Sequence, residues 1–298
     1  MLSAKGGVNI KPICQAILIA LLELSAMAQE AAAPRVTIPL IANGSHHRPA
    51  TIAAESLVIT DQKMPVSGAS LLRGADLPLE LGVLIDTSNS QRDSHLDDFV
   101  KTSKQFADDV IRGPTDRVFF LKFDAIPRAT GWLNKEQLQG TTAKVEVGGG
   151  TALYDAVAMA CKQRMGPRDW RKPTRRILVL ISDGEDNLSH VTRDEAASEA
   201  LKSGAVLFTI YTKDSGPGTD ARGKRIMDSF AKLTGGEFFS EVSGKKVFAS
   251  IQELMDGMYY LNYVPPDASK SAVHEVELKP APKEKFQLTY PKKYLWNP

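Results

Sequence analysis

Residues 81–85 read Leu-Gly-Val-Leu-Ile, an apolar run without polar alternation, and they end directly in Asp86-Thr87-Ser88-Asn89-Ser90. A strand that is apolar on both faces needs cover on both, which is the situation of a parallel sheet flanked by helices. The polar residues at its end are equally specific. One carboxylate followed by alternating hydroxyls, all on small side chains, offers an oxygen cage for a hard cation. Mg²⁺ prefers oxygen donors in octahedral array and keeps several of its waters. Two further stretches repeat the theme. Gly148-Gly149-Gly150-Thr151 opens a helical pattern, and the buried-strand run 177–181 ends in Ser182-Asp183-Gly184.

Between these landmarks the periodicity alternates. Leu96, Phe99, Val100, Ser103, Phe106, Ala107, Val110 and Ile111 recur at helical spacing, with Ser94 and Asp97 as a capping box and Gly113-Pro114 as a stop. A strand is predicted at 118–123 and an antiparallel edge strand near 128–133, followed by a polar connection. The next helix carries Leu153, Ala156, Val157, Ala160 and Cys161 on one face. Strands at 176–182, 205–211 and 237–240 then alternate with helices at 192–203, 224–233 and 246–258. This order predicts an α/β domain over 79–258, a doubly wound, mostly parallel sheet with helices on both faces and right-handed crossovers.

The flanks read differently. Strand patterns at 36–41, 56–60 and 66–72 fall in an N-terminal flank, 29–78, and others at 259–264, 273–278 and 286–290 in a C-terminal flank, 259–298. Neither is large enough for a core of its own. The two are expected to pack on each other as one small β-rich unit beside the α/β domain.

At the N-terminus, Lys5 and Lys11 precede the apolar stretch 13–24, and Ala26-Met27-Ala28 follows as a small-residue cleavage pattern, so 1–28 reads as a signal peptide and the protein as exported. Twelve residues interrupted by Gln15 and Glu23 are too short and polar for a membrane span; an uncleaved N-terminal anchor is the alternative and the one route to a membrane. A net charge of +2 implies no bulk attraction to nucleic acid. Of the two cysteines, Cys14 lies in the leader, which leaves Cys161 without a disulfide partner once the leader is removed.

The three loops, D-x-S-x-S, then a loop threonine, then a strand-terminal aspartate, resemble the metal-ion-dependent adhesion site of von Willebrand factor type A domains. The wider arrangement resembles exported bacterial von Willebrand A-related proteins, in which strand-rich segments bracket the A domain. The resemblance implies that Ser88, Ser90 and Thr151 give hydroxyl oxygens directly to Mg²⁺ (or Mn²⁺), and that Asp86 and Asp183 hold the ion through bridging waters. It implies as partner a protein ligand that offers an Asp or Glu carboxylate to the open coordination position. Each residue also has a structural use: Asp86 at a strand-end turn, Thr151 as a helix cap, Asp183 in an Asp-Gly turn.

Weaker signals surround the motif. Asp93 stands where integrin β-subunit domains carry an acidic pair for a second cation, but Ser94 replaces half of that pair. Adjacent His46-His47 read as a solvated loop. The basic residues Lys162, Arg164, Arg168, Arg171, Lys172, Arg175 and Arg176, with Trp170 among them, read as a solvated connection on the rim opposite the metal. The loop 212–223, with Gly216, Pro217 and Gly218, is a candidate wall for ligand choice. The leading reading is an exported, divalent-metal-dependent, adhesion-type protein-binding module that is not an enzyme. A metal-dependent hydrolase and a scaffold with a structural metal site are the alternatives. Against the hydrolase, His95 is the nearest histidine to the three loops, and no G-x-S-x-G elbow occurs.

Overall fold

The central strands carry apolar residues on both faces because helices cover both. The structure, a computed structural model, describes residues 34–45, 48–92, 94–140, 145–213, 221–240 and 243–297. The leader, His46-His47, Asp93 and residues 214–220 of the 212–223 loop lie outside the described residues. Arg35–Pro298 form one contact unit.

The strands in chain order are β1 (Val36–Asn43), β2 (Leu57–Asp61), β3 (Met64–Pro65), β4 (Ser70–Arg73), β5 (Leu79–Asp86), β6 (Arg117–Phe123), β7 (Arg128–Ala129), β8 (Arg175–Ser182), β9 (Val206–Tyr211), β10 (Phe238–Phe239), β11 (Met258–Tyr263), β12 (Ala272–Pro280), β13 (Gln287–Thr289) and β14 (Lys293–Trp296). The helices are α1 (Leu96–Val110), α2 (Lys135–Gln139), α3 (Leu153–Met159), α4 (Arg193–Ser203), α5 (Ala221–Thr234) and α6 (Gly244–Asp256). Among the described residues, the central sheet has the order β10-β9-β8-β5-β6-β7. It is parallel except for the β7 edge, which runs antiparallel to β6.

Side chains alternate between its faces with a period of two. Leu81, Val83 and Ile85 of β5 join Ile177, Val179 and Ile181 of β8 in a core closed by Phe99 and Phe106 of α1 and by Val247, Phe248 and Ile251 of α6. Leu84, Leu178 and Leu180 point the other way, toward Leu153 of α3, Ala196 and Ala200 of α4, and Met227 and Phe230 of α5. Each fully buried side chain of this kind contributes about 1.5–3 kcal/mol. Gly82 is the exception to the apolar rule for a geometric reason. A Cβ there would stand 2.4 Å from the Phe119 ring and 2.5 Å from Leu178, so its absence lets those two side chains meet over β5.

From β5 the chain runs to β6 on one side and later returns to β8 on the other. The order therefore reverses at β5, and in sheets of this kind the crevice at such a reversal, beyond the carboxyl ends of the strands, is where ligands bind. Asp86 stands at that end.

The flanks form one unit, as their patterns require. Among the described residues they build two antiparallel sheets, β13-β1-β11-β4 and β14-β12-β2-β3. Each mixes the two ends of the chain: Val36 pairs with Tyr263, and Leu57 with Pro280. The sheets share a core of Val36, Ile38, Leu40, Leu261 and Tyr263 from one and Leu57, Ile59, Val276, Leu278 and Trp296 from the other. β1 is buried along its whole length, since Ile41, with Met258 and Tyr260 of β11, faces the α/β core instead. Inside the flank unit Asp61 is fully buried. Its carboxylate faces His274 Nδ1 at 2.9 Å and accepts hydrogen bonds from Tyr263 Oη at 2.9 Å and from Tyr294 Oη at 2.5 Å.

The basic run is not a solvated connection. Arg175 is buried and donates through Nε to the Leu77 carbonyl at 3.2 Å. Arg176 donates to the carbonyls of Gly166 and Ser203, both at 3.0 Å, and pairs with Glu80 at 3.0 Å. Arg164 donates to the Ala129 carbonyl at 3.3 Å. Arg168 donates to the Gly204 carbonyl at 3.1 Å and lies 4.9 Å from the centroid of Trp170. Trp170 in turn packs on Tyr294 at 5.8 Å and Trp296 at 5.9 Å. Only Lys162, Arg171 and Lys172 of the run are exposed, and Arg168 with Trp170 fastens the α/β domain to the flank unit. Guanidinium groups can satisfy several carbonyls at once, and that capacity is invisible to a count of charges.

Two helix ends also differ from expectation. Ser94 does not cap α1: its hydroxyl donates back to the Gln91 carbonyl at 2.7 Å, and the N-cap position falls to His95. The polar connection before Gly148 holds the short α2, nucleated by a capping box of Asn134 and Gln137.

Candidate metal centre

Three loops at the carboxyl end of the sheet are bound together before any ligand is considered. Thr87 N–H donates to the Phe123 carbonyl at 2.7 Å, fixing the end of β5 to the end of β6. Asn89 N–H donates to the Gly149 carbonyl at 3.1 Å, and Gly148 N–H to the Thr87 carbonyl at 2.9 Å. The Ser88–Ser90 loop thus lies along the glycine loop that precedes Thr151. Gly149 has φ +76, and a Cβ on Gly150 would stand 2.7 Å from Asn187 Oδ1, so neither tolerates a side chain easily.

The loop after Asp183 closes the third side by satisfying the unpaired N–H groups at the start of α3. Asn187 Oδ1 accepts from Thr151 N–H at 2.8 Å, Asp186 Oδ2 from Tyr154 N–H at 3.1 Å, and Ser189 Oγ from Asp155 N–H at 3.1 Å. Asp155 answers by accepting from the N–H groups of His190 and Val191, both at 2.9 Å, and from His190 Nδ1 at 2.8 Å. A histidine therefore does stand beside one of the three loops, contrary to what the sequence suggests. Its ring is largely exposed and serves this clasp.

Asp86 is completely buried. One carboxylate oxygen accepts from Ser182 Oγ at 2.6 Å, and the other from Ser88 N–H at 3.0 Å. Burial nevertheless pushes its carboxyl up to about 6, against the pull of the Ser182 and Ser88 hydrogen bonds, and the charge of Asp183 adds to the rise. Ser88 Oγ and Ser90 Oγ lie 3.0 Å apart. Asp183 Oδ1 accepts from Glu185 N–H at 3.1 Å, and Oδ2 pairs with Lys213 Nζ at 2.9 Å; the same ammonium reaches Glu185 Oε1 at 2.9 Å. Burial would lower Lys213, but its hydrogen bonds and charge pairing with Asp183 and Glu185 prevail and hold it above the usual lysine value.

Asp86, Ser88 and Ser90 thus share one loop. Thr151 is drawn to that loop by the Gly148 and Gly149 bonds, and Asp183 follows Ser182, which is bonded to Asp86. The ends of strands lead one to expect side chains open to solvent, but Asp183 and Ser88 are enclosed, with exposures of 0% and 1%, and that of Thr151 is 2%. Small polar side chains packed under three crossing loops are shielded even at the edge of a sheet. Sequence reasoning gave no role to Ser182 or Gln91, and it read Thr212 and Lys213 only as the start of a candidate wall for ligand choice. Gln91 Oε1 accepts from Thr212 Oγ1 at 2.7 Å, and both residues are buried. The available signal was position, since Thr212 and Lys213 follow the end of β9 as Asp183 follows that of β8.

The all-oxygen, small-side-chain donor set suits a hard cation, and the paired serine hydroxyls already converge. The buried Asp86 and Asp183 lie close enough for their charges to interact, which favours a cation between them; the Lys213 ammonium on Asp183 meets part of that demand already. The residues present fit a divalent cation. No cluster of three His, Cys, Asp or Glu side chains with metal-holding spacing occurs among the described residues, as expected where most of the donors are hydroxyls.

The profile of the von Willebrand factor type A domain matches residues 80–253. The chain belongs to this family. Among solved structures, this von Willebrand A chain is similar to the conserved hypothetical protein BatB of Bacteroides thetaiotaomicron, with 20% identity over 60% of this chain and 98% of that one and a TM-score of 0.44. A von Willebrand factor type A protein of Catenulispora acidiphila shares 12% identity over 89% and 74%, with a TM-score of 0.45. The ArnB paralog VWA2 of Sulfolobus acidocaldarius shares 13% over 89% and 76%, also with a TM-score of 0.45. These likenesses add nothing to the family match. Among curated proteins, no sequence matches.

Proposed function

We propose that this von Willebrand A chain is a protein-interaction module whose ligand is captured at a divalent cation, Mg²⁺ or Mn²⁺, beyond the carboxyl end of β5. The observation that carries the reading is the convergence of Ser88 Oγ and Ser90 Oγ, 3.0 Å apart, beside the fully buried Asp86. Ser88, Ser90 and Thr151 would hold the ion directly, and Asp86 and Asp183 through water. When bound, such an ion would supply a Lewis-acidic grip on a partner oxygen. Three neutral hydroxyls leave most of its charge uncompensated, so an Asp or Glu carboxylate of the partner is the favoured ligand at the open position. The chain's own residues do the rest. The loop zipper fixes the hydroxyls, and Ser182 orients Asp86.

Export by the N-terminal segment 1–28 belongs to the same proposal and rests on its basic, apolar and small-residue pattern. No helix among the described residues is long and apolar enough to cross a membrane.

The test is a calorimetric titration with Mg²⁺ and Mn²⁺, followed by capture of partners with metal or with chelator. Asp183→Ala should weaken metal affinity roughly 10–100-fold, as loss of an outer carboxylate commonly does. Ser88→Ala combined with Ser90→Ala should lose the partner while the far-ultraviolet spectrum is kept. Partner binding that survives chelator would place recognition elsewhere on the molecule.

A further inference from the structure

Lys213 has no role in the proposed metal set, yet it holds the strongest position beside it. Its backbone is fixed from two sides: the preceding Thr212 N–H donates to the Ser182 carbonyl at 3.3 Å, and Thr212 Oγ1 to the buried Gln91 at 2.7 Å. From there the side chain, 32% exposed, brings its ammonium to 2.9 Å from both Asp183 Oδ2 and Glu185 Oε1. Asp183 is wholly enclosed, and its Oδ2 has no other partner among the described residues. A buried carboxylate without a cation is costly, and at Asp183 the Lys213 ammonium meets that cost when no metal is bound.

We infer that Lys213 is the resident counter-cation of Asp183 in the metal-free protein, and that a divalent ion binds by displacing this ammonium onto Glu185 and solvent. The inference rests on the metal reading given above and adds a determinant of affinity to it. Two cations that share one buried carboxylate repel each other strongly at this range. On this inference the water-bridged ion takes over Asp183 as its counter-charge, and the Lys213–Asp183 contact opens each time metal binds. Glu185 is the natural receiver, because it already holds the same ammonium and is itself 40% exposed. Lys213 thus weakens the site for metal while stabilising it without metal. A partner that brings a carboxylate to the ion would help to meet the cost of moving it.

The experiment compares the full chain with Lys213→Met and Lys213→Arg. Relief of the repulsion should make Lys213→Met bind Mg²⁺ about tenfold tighter than the parent in calorimetry, with Lys213→Arg close to the parent. In chelator, Lys213→Met should melt at a lower temperature than the parent, and Mg²⁺ should restore it by more than it raises the parent. Should the Met variant fail to fold, the unmodified protein still gives the answer: acetylation of Lys213, read by peptide mass spectrometry, should increase when Mg²⁺ is added. Equal Mg²⁺ affinity in parent and Lys213→Met, or Lys213 acetylation indifferent to bound Mg²⁺, overturns this inference and leaves the metal reading standing. If neither protein binds Mg²⁺ or Mn²⁺, the metal reading falls and this one with it.

Discussion

Asp61→Ala should destabilise the flank unit by several kilocalories, although Asp61 belongs to no candidate site. Three polar groups depend on its carboxylate: His274 Nδ1 at 2.9 Å and the hydroxyls of Tyr263 and Tyr294. All three residues are at least nine-tenths buried, so water cannot replace the acceptor without opening the core. An orphaned buried polar group costs about 1–3 kcal/mol. Relief of the carboxylate's own desolvation offsets part of the sum of three. The net loss should be about 3 kcal/mol, which lowers Tm by roughly 5 °C in a chain of this size. Urea unfolding followed by tryptophan fluorescence is well placed to read it, because Trp170 and Trp296 both lie against this region while Trp132 packs on Phe119 in the α/β core. Tyr263→Phe, which removes one donor and leaves the carboxylate, should cost about 1.5–3 kcal/mol. A loss under about 1 kcal/mol for Asp61→Ala would refute the reasoning and mean that the three groups find other partners.

Three further substitutions or modifications probe other parts of the molecule. Gly184→Ala should cost about 2–5 kcal/mol in urea unfolding, since φ is +75 and the new Cβ would lie 2.4 Å from the Gly223 carbonyl oxygen; a loss below about 1 kcal/mol would mean the loop rearranges freely. Cys161 is buried, and burial pushes its thiol up to about 12, so in the native protein it should resist a thiol reagent and react once urea unfolds the chain; prompt native labelling at Cys161, located by peptide mass spectrometry, would contradict its burial. Trp170→Ala should speed hydrogen exchange in β12 and β14 while leaving β5 and β8 protected, and uniform protection would show that the ring does not fasten the flank unit.

Much of the fold was legible because its strands are unambiguous. The runs at 81–85 and 177–181 have no polar alternation, which means cover on both faces, and the helical spacing from Leu96 to Ile111 supplies the cover. The loop motif was legible for the same local reason, since Asp86, Ser88 and Ser90 are neighbours in the chain. The remainder lay in contacts between distant residues. Nothing near Lys213 in sequence points to Asp183; only the parallel alignment of β8 with β9 brings them together. Arg168, Arg175 and Arg176 read as solvated because a charge run usually is, and their carbonyl partners appear only once the end of α4 and the segment before β5 are in place. The burial of Ser88 and Asp183 was misjudged because sequence shows where a strand ends and not what crosses over it.

The pairing of β1 with β11 has a consequence for the order in which the molecule can be completed. Val36 meets Tyr263, 227 positions further along the chain, and contacts so remote are late ones in folding. A nascent chain that had emerged only as far as α6 would hold every strand of the central sheet, yet β1 would have none of its neighbours β11 and β13. Its eight residues, all destined for the interior, would wait unpaired until the remainder of the protein arrived. The first of the described strands to be synthesised is therefore among the last to be enclosed, and in the period between its apolar residues are open to aggregation or to a chaperone's grasp.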